Sequence, residues 1–124
     1  MAFNFFDEAI AAHLDWKRRL RDCLDRGETC PRSDQAVNDG LCDLGHWLFN
    51  EGSRYANLPA YGELLMQHGR FHLESAKILL LIEAGKLDAA EHMLLDDGPF
   101  LESSAEVVGA IGRLRADIDK LIQG

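Results

Sequence analysis

What this chain has little of narrows its class at once. Its 124 residues include three prolines, Pro31, Pro59 and Pro99, so long stretches are free of the ring that breaks helices. Three cysteines are present, Cys23, Cys30 and Cys42. An odd, small number argues against a secreted disulfide framework and for a reducing cytoplasm, with Cys23 and Cys30 read as unpaired thiols rather than a redox pair. Basic residues are outnumbered, 13 Lys and Arg against 21 Asp and Glu, for a formal charge of −8. Nucleic-acid phosphates and anionic membrane surfaces both call for a basic face, so neither is an expected partner. The longest strictly apolar run, Ile78 to Ile82, falls far short of the roughly 20 residues that span a bilayer. The opening Met1-Ala2-Phe3-Asn4-Phe5-Phe6-Asp7-Glu8 shows no basic segment of a secretory signal. What remains is 47% hydrophobic, enough for one buried core, and the length suits a single domain over residues 1–124.

Apolar residues recur at helical spacing almost throughout, with no run of period-two alternation, which predicts an all-α fold. A first helix is expected from Phe3 to Leu24, its stripe being Phe6, Ile10, His13, Leu20 and Leu24. Arg26 to Pro31 reads as a turn, because Gly27 ends a helix and Pro31 cannot continue one. Ser33 is a suitable cap for a second helix reaching Asn50, with Val37, Leu41, Leu44 and Leu48 inward. A third helix from Ala60 to Ala84 carries Leu65, His68, His72 and Leu79 on one face. Asp88 and Glu91 resemble a capping pair for a short fourth helix ending near Leu95, and Asp96-Asp97-Gly98-Pro99 forces a kink. The last helix repeats Phe100, Val107, Ile111, Leu114, Ile118 and Leu121 in a coiled-coil-like seam. Short connections imply antiparallel neighbours, hence an up-and-down four-helix bundle with one extra short helix.

Chemistry concentrates in His13, Cys42, His68 and His72. The last two sit at i and i+4, one turn apart on the same helical face, where both can grip one ion. A single histidine on an apolar stripe is usually a hydrogen-bonded core residue. Three imidazoles and one thiolate on three helices instead form a closed tetrahedral shell suited to Zn²⁺ bound between helices. A closed shell points to a structural or sensing metal, since a catalytic zinc keeps one position free. Such a site carries net charge +1, and burying it calls for a carboxylate nearby. Asp39, three residues before Cys42, is the first choice and Asp43 the second. Trp16 and Trp47 flank the ligands, as core aromatics or as walls that shield the metal from water. Gly45 and Gly69 fall inside predicted helices at a cost of up to about 1 kcal/mol each, which close helix approach near the metal would explain. His46 is expected at the surface as a lesser alternative ligand, and His92 in a bland polar role.

The segments His13-Leu14-Asp15-Trp16-Lys17, Cys42-Asp43-Leu44-Gly45-His46-Trp47-Leu48 and Leu65-Met66-Gln67-His68-Gly69-Arg70-Phe71-His72 resemble, in order and separation, the three signatures of the chemoreceptor zinc-binding (CZB) domain family. The similarity runs roughly from Phe3 to Leu114. His46 departs from the family, which commonly has Lys there. The resemblance implies a cytoplasmic bacterial regulatory domain that forms homodimers and binds zinc through His13, Cys42, His68 and His72. It also implies attachment to, or partnership with, a chemoreceptor or a diguanylate cyclase.

No Ser/His/Asp set, Gly-rich phosphate loop or open metal position is visible, so an enzyme is not expected. A di-iron protein would need Glu-x-x-His pairs, and the sequence has none. Two functions remain: a sensor, and a structural module whose zinc staples a dimer. For the sensor, the resemblance implies zinc or an oxidant, hypochlorous acid first, as the signal. A lone zinc-bound thiolate favours the sensor, because Cys42 is then a nucleophile that oxidants attack. With no output domain following Gly124, action through a partner in trans, or a longer parent chain, is expected.

Overall fold

Helix boundaries follow the glycines and prolines closely. A computed structural model describes residues 2–27, 30–40, 42–95 and 98–123, the side chains of 2–4 excepted. Leu41, Glu28, Thr29, Asp96 and Asp97, which figure in the expected stripe and turns, lie outside these residues. The described chain is all-helical: α1 (Ala2–Arg26), α2 (Ser33–Ala36), α3 (Asp43–Phe49), a 3₁₀ turn (Glu51–Tyr55), α4 (Pro59–Glu83), α5 (Leu87–Leu95) and α6 (Pro99–Gln123). Gly27 ends α1 with φ +68°, donating its N–H to the Cys23 carbonyl at 2.8 Å. Gly85, at φ +75°, ends α4 in a Schellman motif: its own N–H reaches Ile82 O and that of Lys86 reaches Leu81 O. Pro59 and Pro99 each open a long helix, where a missing N–H costs nothing.

The core forms where α4 packs on α6 and α1 closes over them. Leu20, Leu64, Phe71, Leu79, Phe100, Ile111 and Leu114 are fully buried there. The coiled-coil-like α6 seam is largely spent inside the chain, since Phe100, Val107, Ile111, Leu114 and Ile118 are all buried and only Leu121 is exposed. The exposed heptad row lies on α4 instead, at Met66, Leu73 and Leu80.

Two expectations need correction. The second helix is not continuous from Ser33 to Asn50; it is broken into α2 and α3. Asn38-Asp39-Gly40 is the cause. The Asn38 side-chain oxygen accepts the Gly40 N–H at 3.0 Å, a local bond that competes with the helical ladder. Val37, expected inward, is consequently exposed. The second correction concerns the thiols. Cys23 and Cys30 are bonded to each other, S–S 2.06 Å with Cα atoms 5.0 Å apart, which leaves Cys42 as the free cysteine.

Candidate metal centre

Three helices and one interruption build the centre. His13 lies midway along α1 on its buried face, and His68 and His72 lie one turn apart on α4, beside Phe71. All three imidazoles are at most 3% exposed. Cys42 arrives differently. Because the chain breaks before it, Cys42 is the N-cap of α3, and its Sγ accepts the Gly45 N–H at 3.4 Å. That bond joins a sulfur to one of the orphan donors at a helix start.

One donor atom from each of His13, Cys42, His68 and His72 lies within 4.8 Å of every other. His68 Nε2 stands 3.0 Å from His72 Nε2 and 3.1 Å from Cys42 Sγ. Tautomers follow from the outer bonds. His13 Nδ1–H donates to Ala9 O at 2.7 Å and His72 Nδ1–H to Ala36 O at 2.8 Å. A carbonyl can only accept, so Nε2 of both rings carries a lone pair. His13 Nε2 is buried without a hydrogen-bond partner. An orphaned buried lone pair, beside two more nitrogens and a sulfur, fits a tetrahedral Zn²⁺, for which three imidazoles and a thiolate make a closed set.

The electrostatics suit a cation. Burial, reinforced for His68 by its neighbouring rings, drives His13 to about 4 and His68 to about 2, and burial lowers His72 as well. All three are neutral ligands at pH 7. Burial pushes the Cys42 thiol above its ordinary value, opposed by backbone N–H groups of Gly45 and Leu44.

Asp39 sits half-buried over the site, in the break rather than one helical turn behind Cys42. A Cβ on Gly45 would stand 1.6 Å from the Asp39 carbonyl oxygen, and one on Gly69 would stand 3.3 Å from Asp39 Oδ2. What approaches the two glycines is therefore not a neighbouring helix but Asp39 in the break, by its backbone at Gly45 and by its side chain at Gly69. Asp43 is exposed in the first turn of α3. Trp16 turns its ring edge to His72, centroids 6.3 Å apart, with the Arg19 guanidinium 4.5 Å above its own centre. Trp47 packs with Phe5, Phe6 and Tyr55. His46 is exposed and lines a separate groove with Phe5, Phe6 and Trp47, and His92 is exposed on α5. Neither belongs to the converging set. The carbonyls of Ala9 and Ala36 were not legible as site groups, since any residue supplies a carbonyl.

The centre opens to solvent on one side. A cleft of about 470 Å³ runs between α1 and the α2–α3 limb, and His13, Cys42 and His72 form part of its lining.

The family model for the chemoreceptor zinc-binding domain matches residues 13–79. The chain belongs to that family. The match covers more than half of the sequence and contains all four converging residues, so zinc is the metal this CZB domain is built to hold. No curated protein and no solved structure matches the chain. Among the described residues, no helix of this CZB domain is long and apolar enough to cross a membrane.

Proposed function

We propose that this CZB domain is a cytoplasmic regulatory module, not an enzyme, whose three-histidine, one-cysteine zinc centre is the receiver of a signal. The signal is zinc availability or an oxidant, with hypochlorous acid as the oxidant class implied by the family resemblance. The observation that carries the reading is the position of Cys42. It is the site's sulfur, it lines the cleft that opens to solvent, and it caps α3. Oxidation converts the thiolate and hypochlorous acid to a sulfenic acid and chloride, and the sulfur becomes a weaker, bulkier ligand. The α3 N-terminus then loses its cap, and displacement of a packed helix is a usable signal. Asp39 is the group proposed to compensate for the lost charge. Its carboxylate next to Gly69 and its pull on the His72 proton support that role.

The reading includes a four-helix up-and-down arrangement, with the α2–α3 limb in place of one long helix. It also includes an isologous homodimer and an output partner such as a chemoreceptor or diguanylate cyclase. Support for the dimer comes from the Met66, Leu73 and Leu80 row, each residue at least 45% exposed and seven positions from the next, the spacing by which one helix seats against another. That row also favours the alternative, a zinc-stapled dimerisation module with no sensing role.

One experiment separates them. Zinc-loaded protein is treated with hypochlorous acid, and zinc release, far-ultraviolet circular dichroism and the mass of each cysteine peptide are followed. The sensor reading expects Cys42 to be modified, zinc to be held more weakly and the helix signal to change. It expects Cys42→Ser to weaken zinc binding and abolish the response, and Asp39→Ala to alter the response more than the affinity. An unmodified Cys42 with an unchanged helix signal overturns the oxidant reading. Leu73→Glu should convert a sedimenting dimer to monomer; a wild-type monomer at tens of micromolar rejects the dimer.

A further inference from the structure

The Cys23–Cys30 bond has no part in zinc ligation, yet it fastens the segment on which one ligand depends. Cys23 lies in the last turn of α1 and is 1% exposed, whereas Cys30 is exposed. Six residues after Cys30 comes Ala36, whose carbonyl accepts the His72 Nδ1–H at 2.8 Å. Besides the packing of α2 against α4, which buries Ser33 and Ala36, two bonds fasten the intervening stretch. One is the disulfide, which ties it to α1. The other is Ser33, whose N–H and Oγ–H both donate to the Glu83 carboxylate at the end of α4, at 3.0 and 2.7 Å. Pro31, Gln35 and Ala36 form one wall of the cleft leading to the metal site, and Ala9, Ala12 and Trp16 of α1 form the other. The disulfide therefore joins the two walls at their common end.

We infer that Cys23 and Cys30 form a second redox site, a thiol-reducible clamp that sets how firmly the zinc centre holds its ion. Its reaction partner is a thiol or dithiol reductant. A reductant thiolate attacks the exposed Cys30 sulfur, forming a mixed disulfide and expelling the Cys23 thiolate, which takes up a proton. A second reductant thiol resolves the mixed disulfide. Two protein thiols and one oxidised reductant disulfide result from one protein disulfide and two reductant thiols. Attack falls on Cys30 because the Cys23 sulfur is enclosed. A disulfide with one cysteine at the surface offers a point of attack for exchange, unlike one buried at both ends. Once it opens, the segment pivots on the Ser33–Glu83 contact, the Ala36 carbonyl leaves His72, and the ring loses the bond that fixes its tautomer and orientation. The inference stands apart from the oxidation of Cys42, since it requires only that the four residues hold zinc.

The test uses the full chain loaded with zinc. Transfer of zinc to a pyridylazo chelator is timed for three samples: the oxidised protein, the protein reduced with a carboxyethyl phosphine and desalted anaerobically, and Cys30→Ser. Maleimide labelling and mass spectrometry report the cysteine state of each. The reduced protein should release zinc about tenfold faster, the lower end of what loss of an outer hydrogen-bond partner costs a zinc site. Re-oxidation with glutathione disulfide should restore the slow rate. Cys30→Ser should match the reduced protein and ignore the phosphine. Equal rates in the oxidised and reduced protein overturn the inference, as does a Cys30→Ser rate equal to that of the oxidised protein. Should Cys30→Ser fail to fold, the reduction and re-oxidation of the wild-type chain decide alone.

Discussion

The two sides of the zinc centre are constructed in opposite ways. On the α4 side, His68 and His72 ride on 25 residues of continuous helix, flanked by fully buried Leu64, Phe71 and Leu79. On the other side, Cys42 and the Ala36 carbonyl ride on a limb of four-residue and seven-residue helices joined by a turn. The limb buries Ala36, Leu44 and Leu48 against the rest of the chain, and its short helices are held in addition by discrete ties: the Cys23–Cys30 bond, the Ser33–Glu83 contact, the Ala36–His72 bond and Cys42 itself. On the proposed sensor reading, the rigid wall supplies affinity and the tied wall supplies sensitivity to the loss of a tie.

The largest effect should come from the rigid wall. His72→Ala removes a nitrogen ligand from a helix that cannot rearrange to replace it. Zinc affinity should fall by more than the roughly 10- to 100-fold that an outer-shell partner is worth. Elemental analysis of the purified variant, with competition against a chelator, measures it. Unchanged metal content in His72→Ala would remove the α4 pair from the site.

This asymmetry also decided what could be read from the sequence. The i, i+4 spacing of His68 and His72 and the apolar stripe of α1 are periodic, and periodicity survives into structure when core packing supports it. The Cys42 limb is not periodic in the same sense. Asn38-Asp39-Gly40 is turn chemistry, but Val37, Leu44 and Leu48 keep a helical spacing across it, so the stripe hides the turn. Missing the turn also misplaced Asp39, which lies over the site through a change of chain direction rather than through helical spacing. The disulfide was missed for another reason. An odd cysteine count argues about compartment, whereas bonding requires only that Cys30 return to the end of α1. The α6 seam was correctly seen as apolar, but a helix period cannot tell a seam facing its own core from one facing a second chain.

A pair of glycine substitutions sharpens the contrast. At Gly45 an added Cβ would stand 1.6 Å from a backbone oxygen of Asp39, which cannot rotate away, so Gly45→Ala must displace the limb. A cost of about 1–3 kcal/mol is expected, as for other overpacked sites, with a loss of zinc affinity. At Gly69 the added Cβ meets only the Asp39 carboxylate at 3.3 Å, a side chain free to yield. Gly69→Ala should therefore be near neutral, or stabilising by up to about 1 kcal/mol through helix propensity. Thermal denaturation of the two zinc-loaded variants compares them directly, and equal destabilisation would mean that the limb is as rigid as α4.

Proton release assigns the next difference. Burial keeps His13, His68 and His72 neutral at pH 7, and burial raises the Cys42 thiol. Metal binding should therefore expel about one proton per ion, from the limb and not from the helix. Calorimetry in buffers of different ionisation enthalpy counts it, and Cys42→Ser should abolish it. The metal-free chain has the converse sign. Its histidines titrate lower when folded than when unfolded, so their contribution is complete above the unfolded value near 6.5 and is lost as pH falls from there towards about 4. A metal-free melting temperature that rises between pH 6.5 and pH 5 would contradict this.

The smallest effect belongs to the outermost tie. Glu83 accepts the Ser33 N–H and Oγ–H at the start of α2, and the backbone bond, followed by the hydroxyl, holds its carboxyl below the ordinary glutamate value. The contact is complete above the unfolded glutamate pKa and is lost as pH falls through the depressed folded one. Glu83→Gln keeps one acceptor oxygen but loses the charge that strengthens both bonds. While the disulfide still holds Cys30, zinc affinity should fall by less than about tenfold, below the usual cost of losing a ligand's own outer partner. Amide exchange at Ala36 and Val37, whose N–H groups bond back to Arg32 and Ser33, should quicken more visibly than the affinity changes. Combining Glu83→Gln with Cys30→Ser removes both ties upstream of Ala36. If the two act on one limb, the double variant should lose more zinc affinity than the single losses predict. Simple additivity would mean that the disulfide and the Ser33–Glu83 contact restrain different parts of the molecule.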